Sequence, residues 1–188
     1  GDAAGHRPRR RRRAAVSGAA APPPPVTEDP AVFAAALPPT GALFGLDLGE
    51  KTIGLAASDP LRGVATPLET LKKGKFSADA AALAERAAAR AVCGVVLGLP
   101  LNMDGTAGPR AQSTRAFARN LARALALPML LWDERLSTAA VERAMVAADL
   151  SRKRRAERVD SAAAAYILEG ALARLAGLRG GGDGAAEA

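Results

Sequence analysis

The chain has 188 residues, with 26 Lys and Arg against 19 Asp and Glu and a net charge of +7, which suits one domain with a full core and an anionic partner. A single cysteine, Cys93, excludes an internal disulfide, and a single histidine, His6, leaves no Cys/His zinc site. No run reaches the roughly 18 apolar residues of a membrane span, so no membrane partner is expected and the default compartment is the cytoplasm.

Residues 1–40 differ in composition from the rest. They hold Arg7, the run Arg9 to Arg13, Pro22 to Pro25 and Pro38-Pro39. Residues 1–40 read as a disordered, basic, Pro-rich N-terminal extension, since no apolar period runs through residues 1–25. The extension lacks the apolar region of a secretory signal. It begins with Gly rather than Met, as expected of a fragment or processed form.

From residue 41 the pattern becomes that of a packed domain. Leu43–Leu48 reads as a first strand and Thr52–Ala57 as a second, joined by a hairpin around Gly49. Val64–Leu71 is a third strand, closed by the basic loop Lys72-Lys73-Gly74-Lys75. Ser77 is the expected cap of an Ala-rich helix over 78–91. Val92–Leu97 is continuously apolar, as in a buried central strand, with Cys93 in its core. Pro109 opens a helix over about 110–126. Met129–Trp132 is a further buried strand, followed by a helix capped by Ser137 or Thr138 and running to about Ala148. Ser151–Arg158 reads as a basic connector without apolar period, mobile in the absence of substrate. A last helix covers Val159–Leu175, and residues 177–188 read as a flexible tail. The domain therefore spans 41–176. A strand meander followed by alternating helices and strands gives an α/β fold with a mixed five-stranded sheet flanked by helices, in the order of the ribonuclease H-like fold.

Three separated acidic motifs carry the chemistry. Asp47 in GLDLGEKTIG ends the first strand, and ligands of open α/β sheets bind beyond the carboxyl ends of strands. Gly49 lets a phosphate approach the turn, where Lys51 is a candidate contact. In DERLST, Asp133 and Glu134 point to opposite faces if the strand continues. Glu134 is in register with Leu130 and Trp132 and is the expected ligand, while Asp133 supports the turn or pairs with a base. Asp160 in VDSAAA opens the last helix, where a carboxylate is also favoured by the helix dipole alone. The loop GLPLNMDGTAGPR, with Asn102, Thr106 and Arg110, leads from a central strand into a helix and can hold a phosphate. It lacks the ending of a Walker A loop.

Taken in order, GLDLGEKTIGLAASD, ATPLETL, VVLGLPLNMDGTAG, DERLSTAAVE and VDSAAAAYIL resemble the YqgF family, also called RuvX, over roughly residues 41–175. The resemblance implies a ribonuclease H-like nuclease of the bacterial cytoplasm that acts in maturation of the small-subunit (16S) ribosomal RNA precursor. The alternative it carries is a Holliday junction or branched-DNA resolvase. Its acidic set falls on Asp47, Glu134 and Asp160. Glu50 departs from the family pattern, which often has a small or hydroxyl residue there, and adds negative charge beside the site.

The implied chemistry is two-metal hydrolysis, with Asp47, Glu134 and Asp160 holding two Mg²⁺ or Mn²⁺ ions roughly 4 Å apart. Lys51, Asn102, Thr106, Arg110, Arg135, Arg152, Lys153 and Arg155 are the expected substrate contacts, joined by Lys72, Lys73 and Lys75. The partner is nucleic acid, either the ribosomal RNA precursor or branched DNA, and a homodimer is among the expected assemblies. Two other readings compete. An ATP-binding module of the actin and sugar-kinase type uses a similar hairpin but needs two lobes, and ATP affinity would reveal it. A non-catalytic RNA-binding ribosome-assembly factor would keep the fold without turnover, and a metal-dependent cleavage assay separates it from a nuclease.

Overall fold

Residue parity along the strands decides how this domain is built. The computed structural model describes residues 21–136 and 152–181, with main chain alone over 152–158. The strands are β1 (Val26–Thr27), β2 (Ala42–Leu48), β3 (Thr52–Ser58), β4 (Ala65–Lys72), β5 (Val92–Leu99) and β6 (Met129–Asp133). They form one sheet in the order β1-β6-β5-β2-β3-β4. β2, β3 and β4 pair antiparallel, whereas β2–β5, β5–β6 and β6–β1 are parallel. This is the expected ribonuclease H-like arrangement with six strands rather than five.

Side chains alternate across a strand, so the sheet has two faces. Phe44, Leu46, Leu55, Val95, Leu97, Met129 and Leu131 fill one face. Helices α2 (Phe76–Ala89) and α3 (Pro109–Leu125) cover it through Leu83, Phe117, Ala118 and Leu121. Leu43, Ala56, Val96, Leu130 and Trp132 fill the other. There Ala164, Ile167, Leu168 and Leu172 of the long helix α4 (Arg152–Gly180) close the core. Among the described residues, no helix is long and apolar enough to cross a membrane.

Four sequence expectations change. Residues 26–36 belong to the domain, not to the extension. β1 pairs with β6, and helix α1 (Pro30–Ala36) buries Phe33 completely under the α4 face. A two-residue strand has no detectable period, and one Phe among alanines makes no stripe, but Asp29 caps α1 by accepting from the Ala31 amide at 2.8 Å. Ser77 does not cap α2. The helix starts at Phe76, and it is Asp79 that accepts from the Gly74 amide at 3.0 Å. The basic connector and the start of the tail are helical, since α4 runs unbroken from Arg152 to Gly180. Arg, Lys, Ala and Glu propagate a helix without an apolar stripe once its distal half is docked. Cys93 is half-buried rather than fully buried. The expected disorder over residues 1–20 and the helix expected from Ser137 to Ala148 lie outside the described residues.

Candidate active site at the carboxyl edge of the sheet

Asp47 is the next-to-last residue of β2 and shares parity with Leu43, so it lies on the α4 face. Its antiparallel partner is Gly54 of β3. On the other side Leu46 pairs with Leu97, which sets Asp47 level with Gly98 of β5. Both neighbours of this carboxylate are therefore glycines, and each clears room for another acidic residue. A Cβ at Gly54 would sit 2.0 Å from the carbonyl oxygen of Asp160, so the main chain of α4 rests directly on the strand there. A Cβ at Gly98 would sit 2.7 Å from Glu134 Oε1 and 2.7 Å from Ile167 Cδ1. With adjacent strands about 4.8 Å apart, Asp47, Glu134 and Asp160 lie on one face at one end of the sheet, although more than 100 residues separate the first and last.

Each position has a local cause. Leu130 and Trp132 face α4, and the strand ends at Asp133 in a short 3₁₀ turn over Glu134–Leu136, which turns Glu134 back over Gly98. Asp160 lies two turns into α4, partly buried, and its Oδ2 accepts a 2.7 Å hydrogen bond from the Thr52 hydroxyl at the start of β3. Among the described residues no three His, Cys, Asp or Glu side chains stand in metal-holding geometry. The convergence is one of position on the sheet.

Asp133 is engaged elsewhere. Its Oδ1 accepts from the amide and Nε of Arg135, each at 3.0 Å, and its Oδ2 accepts from Arg135 Nη2 at 2.7 Å. The Arg135 guanidinium holds the Asp133 carboxyl below the usual carboxylate range. The same guanidinium leans on the loop after β5, with Nη1 3.4 Å from the Met103 carbonyl.

The expected substrate contacts divide into groups. Lys51 is exposed in the β2–β3 turn. Asn102 and Thr106 are exposed but bonded to each other, Nδ2 to Oγ1 at 2.9 Å, and Thr106 also donates to Asp104. That hydroxyl, with the Thr106 amide, lowers the Asp104 pKa. Arg110 opens α3 and, with Lys73, Glu50 and Ser113, lines a cavity of about 210 Å³ beside Gly49. Arg135 is the clamp just described. Arg152, Lys153 and Arg155 lie on the first turns of α4, about 8–12 Å along the axis from Asp160, in the segment described by main chain alone. Thr52, Gly54 and Gly98 are the site residues that motif reading missed. The hairpin register alone would have found Gly54, Asp47's pairing partner, whereas Thr52 needs the fold that brings Asp160 to its hydroxyl.

Compared with known proteins, residues 41–174 match the model of the family described as RuvX, Holliday junction resolvase. The chain belongs to the RuvX family. It is 67% identical over 146 residues to a protein of Rhodobacter capsulatus, covering 78% of this chain and 92% of that one. It is 64% identical over 148 residues to a protein of Paracoccus denitrificans, covering 79% and 94%. Both relatives carry the description "putative pre-16S rRNA nuclease". A solved Thermus thermophilus RuvC in complex with a Holliday junction substrate superposes with a TM-score of 0.47 at 15% identity, covering 72% of this chain and 96% of that one.

Proposed function

We propose that this chain is a metal-dependent nuclease that hydrolyses phosphodiester bonds in maturation of the 16S ribosomal RNA precursor, in the cytoplasm. The observation that carries this reading is that Asp47, Glu134 and Asp160 share one sheet face, with Gly54 and Gly98 beside Asp47 clearing room for the main chain of Asp160 and for Glu134. The donor set is all oxygen, which fits Mg²⁺ or Mn²⁺ and excludes the soft ligands that zinc or copper favour. When bound, such ions activate a water and stabilise the leaving oxygen. The chain's own residues do the rest. The three carboxylates supply the negative pole, and without a cation they repel one another. Arg110 and Lys73 flank the cavity beside Gly49 and would hold a neighbouring phosphate, as would the basic first turns of α4. Arg135 keeps Asp133 neutralised and out of the site. The buried state of Phe33, Phe44, Phe117 and Trp132 leaves no aromatic platform of these four, so recognition runs through backbone and shape.

The relatives' descriptions support the RNA substrate, and the family's description supports a second reading, cleavage of branched DNA. Cleavage of a 16S precursor RNA and of a four-way DNA junction, side by side with and without Mn²⁺, tests both. The expected result is Mn²⁺-dependent cutting of the precursor. Junction cutting alone would favour the second reading. Inactivity on both substrates would refute the nuclease assignment.

A further inference from the structure

We infer that Thr52 is a positioning residue for the metal-binding carboxylate of Asp160, an inference that rests on the reading of Asp47, Glu134 and Asp160 as the metal set. Thr52 and Asp160 are 108 positions apart, yet the Thr52 hydroxyl donates to Asp160 Oδ2 at 2.7 Å in a partly buried setting. A hydroxyl has one proton to give, and here it goes to one oxygen of the pair, so Oδ2 is fixed and the carboxylate plane with it. The other oxygen keeps its acceptor capacity for a cation.

The handle itself is held firmly. Thr52 opens β3, and its carbonyl accepts the Gly49 amide at 2.8 Å, which closes the turn. Its own pairing partner across the sheet is Lys72. Its hydroxyl lies where a Cβ on Gly49 would come within 3.0 Å, so the turn packs against it. A β-branched side chain is already stiff at χ1. Asp47 sits on the other strand of the same hairpin, five residues before Thr52 in sequence, with Gly54 as its partner. The hairpin thus carries one ligand directly and grips a second through Thr52. The distance between two acidic residues from opposite ends of the chain is then set by one tight turn. Asp160 is held twice, by its main chain on Gly54 and by its carboxylate on Thr52.

A purely structural strut would anchor α4 and no more. A positioning residue acts on the affinity for the cation. The two separate in the full chain with Thr52→Val, which keeps the shape and loses the proton, and Thr52→Ser, which keeps the proton. Mn²⁺ binding is measured by calorimetry without nucleic acid, beside thermal melting of the metal-free protein and cleavage at rising Mn²⁺. The parent should bind Mn²⁺ and lose that binding in Asp47→Asn. Thr52→Val should bind Mn²⁺ about tenfold more weakly, melt near the parent, keep its KM for nucleic acid and recover kcat at high Mn²⁺. Thr52→Ser should restore most of the affinity. Parent-like Mn²⁺ affinity in Thr52→Val, or failure of Thr52→Ser to restore it, would overturn the inference while leaving the metal set intact. A parent that binds no Mn²⁺, or an Asp47→Asn variant that binds it unchanged, would overturn the metal set and this inference together.

Discussion

Gly54→Ala tests whether α4 is seated as described, because the added methyl has no room. It would lie 2.0 Å from the Asp160 carbonyl oxygen and 2.4 Å from its carbon, against the 3.4 Å where ordinary contact begins. The obstruction is main chain on both sides, a strand in the middle of a hairpin and a helix packed over it. Neither can turn aside as a side chain can, so α4 must lift by roughly 1.4 Å at this point or β3 must bend. Overpacking of this kind costs about 1–3 kcal/mol. For a chain of this size each kcal/mol lowers Tm by about 2–4 °C, so a fall of roughly 2–12 °C is expected. Activity should suffer more than stability, since a misplacement of about 1 Å can cost a factor of ~100 in rate. Gly98→Ala is the paired variant. Its methyl meets the ends of Glu134 and Ile167 at 2.7 Å, and these can rotate away. It should melt within about 1 kcal/mol of the parent and still lose cleavage, because the atom that must move is Glu134 Oε1. Thermal melting by circular dichroism and Mn²⁺-dependent cleavage provide the two readings. A Gly54→Ala protein that melts and cleaves like the parent would refute the seating of Asp160 on β3.

Asp47→Asn should reduce cleavage by orders of magnitude while Tm holds or rises, because one of three like charges is removed; normal cleavage by this variant would sink the carboxylate mechanism. Gly177→Ala, with nothing within 4 Å of the added methyl, should raise stability by about 0.5–1 kcal/mol with unchanged cleavage, measured by melting and assay. The Asp133 pKa is depressed by Arg135, so the pair's stabilisation is present above the unfolded value of about 3.9 and is lost as pH falls through the lower folded value. Arg135→Ala should therefore show a shallower loss of Tm than the parent on acidification below about pH 4; equal slopes would contradict the coupling. Charge reversal of Arg152, Lys153 and Arg155 should weaken nucleic-acid binding and flatten its salt dependence without changing Mn²⁺ affinity. Binding at the parent's salt slope would move the substrate path to Lys72, Lys73 and Lys75.

Much of this architecture was legible because its strands are strongly patterned. Val92–Leu97 and Met129–Trp132 read as buried central strands because both their faces are covered, one by α2 and α3 and the other by α4. The hairpin around Gly49 followed from two β-rich runs separated by a turn. What stayed hidden depends on long-range partners. β1 is two residues long and exists because β6 offers an edge. Arg152 to Arg158 carries no apolar stripe, and its helical state follows from continuity with the docked half of α4. Motif reading named Asp47, Glu134 and Asp160 as the expected ligands. It missed Thr52 because a threonine opening a strand has an ordinary β-propensity explanation, and only the fold brings Asp160 within reach of its hydroxyl.

Parity is the physical link between this fold and its chemistry. Asp47 reaches the α4 face only because it stands an even number of positions after Leu43, and a slip of one residue would turn its carboxylate into the α2–α3 core. Gly54 and Gly98 stand at the same level on the two adjacent strands, so the sheet is bare on both sides of the carboxylate. Bare sheet next to an acidic residue is costly in strand propensity, and it is repaid only if something else comes in. Here the main chain of α4 comes in over Gly54 and the Glu134 side chain over Gly98. A sheet with Ala or Val at these two positions would be a better strand former and would hold Asp160 and Glu134 away from Asp47. The two glycines are thus part of the candidate site, although they carry no functional group, and a carboxylate trio in another sequence with side chains at both levels would not be expected to share one face in the same way.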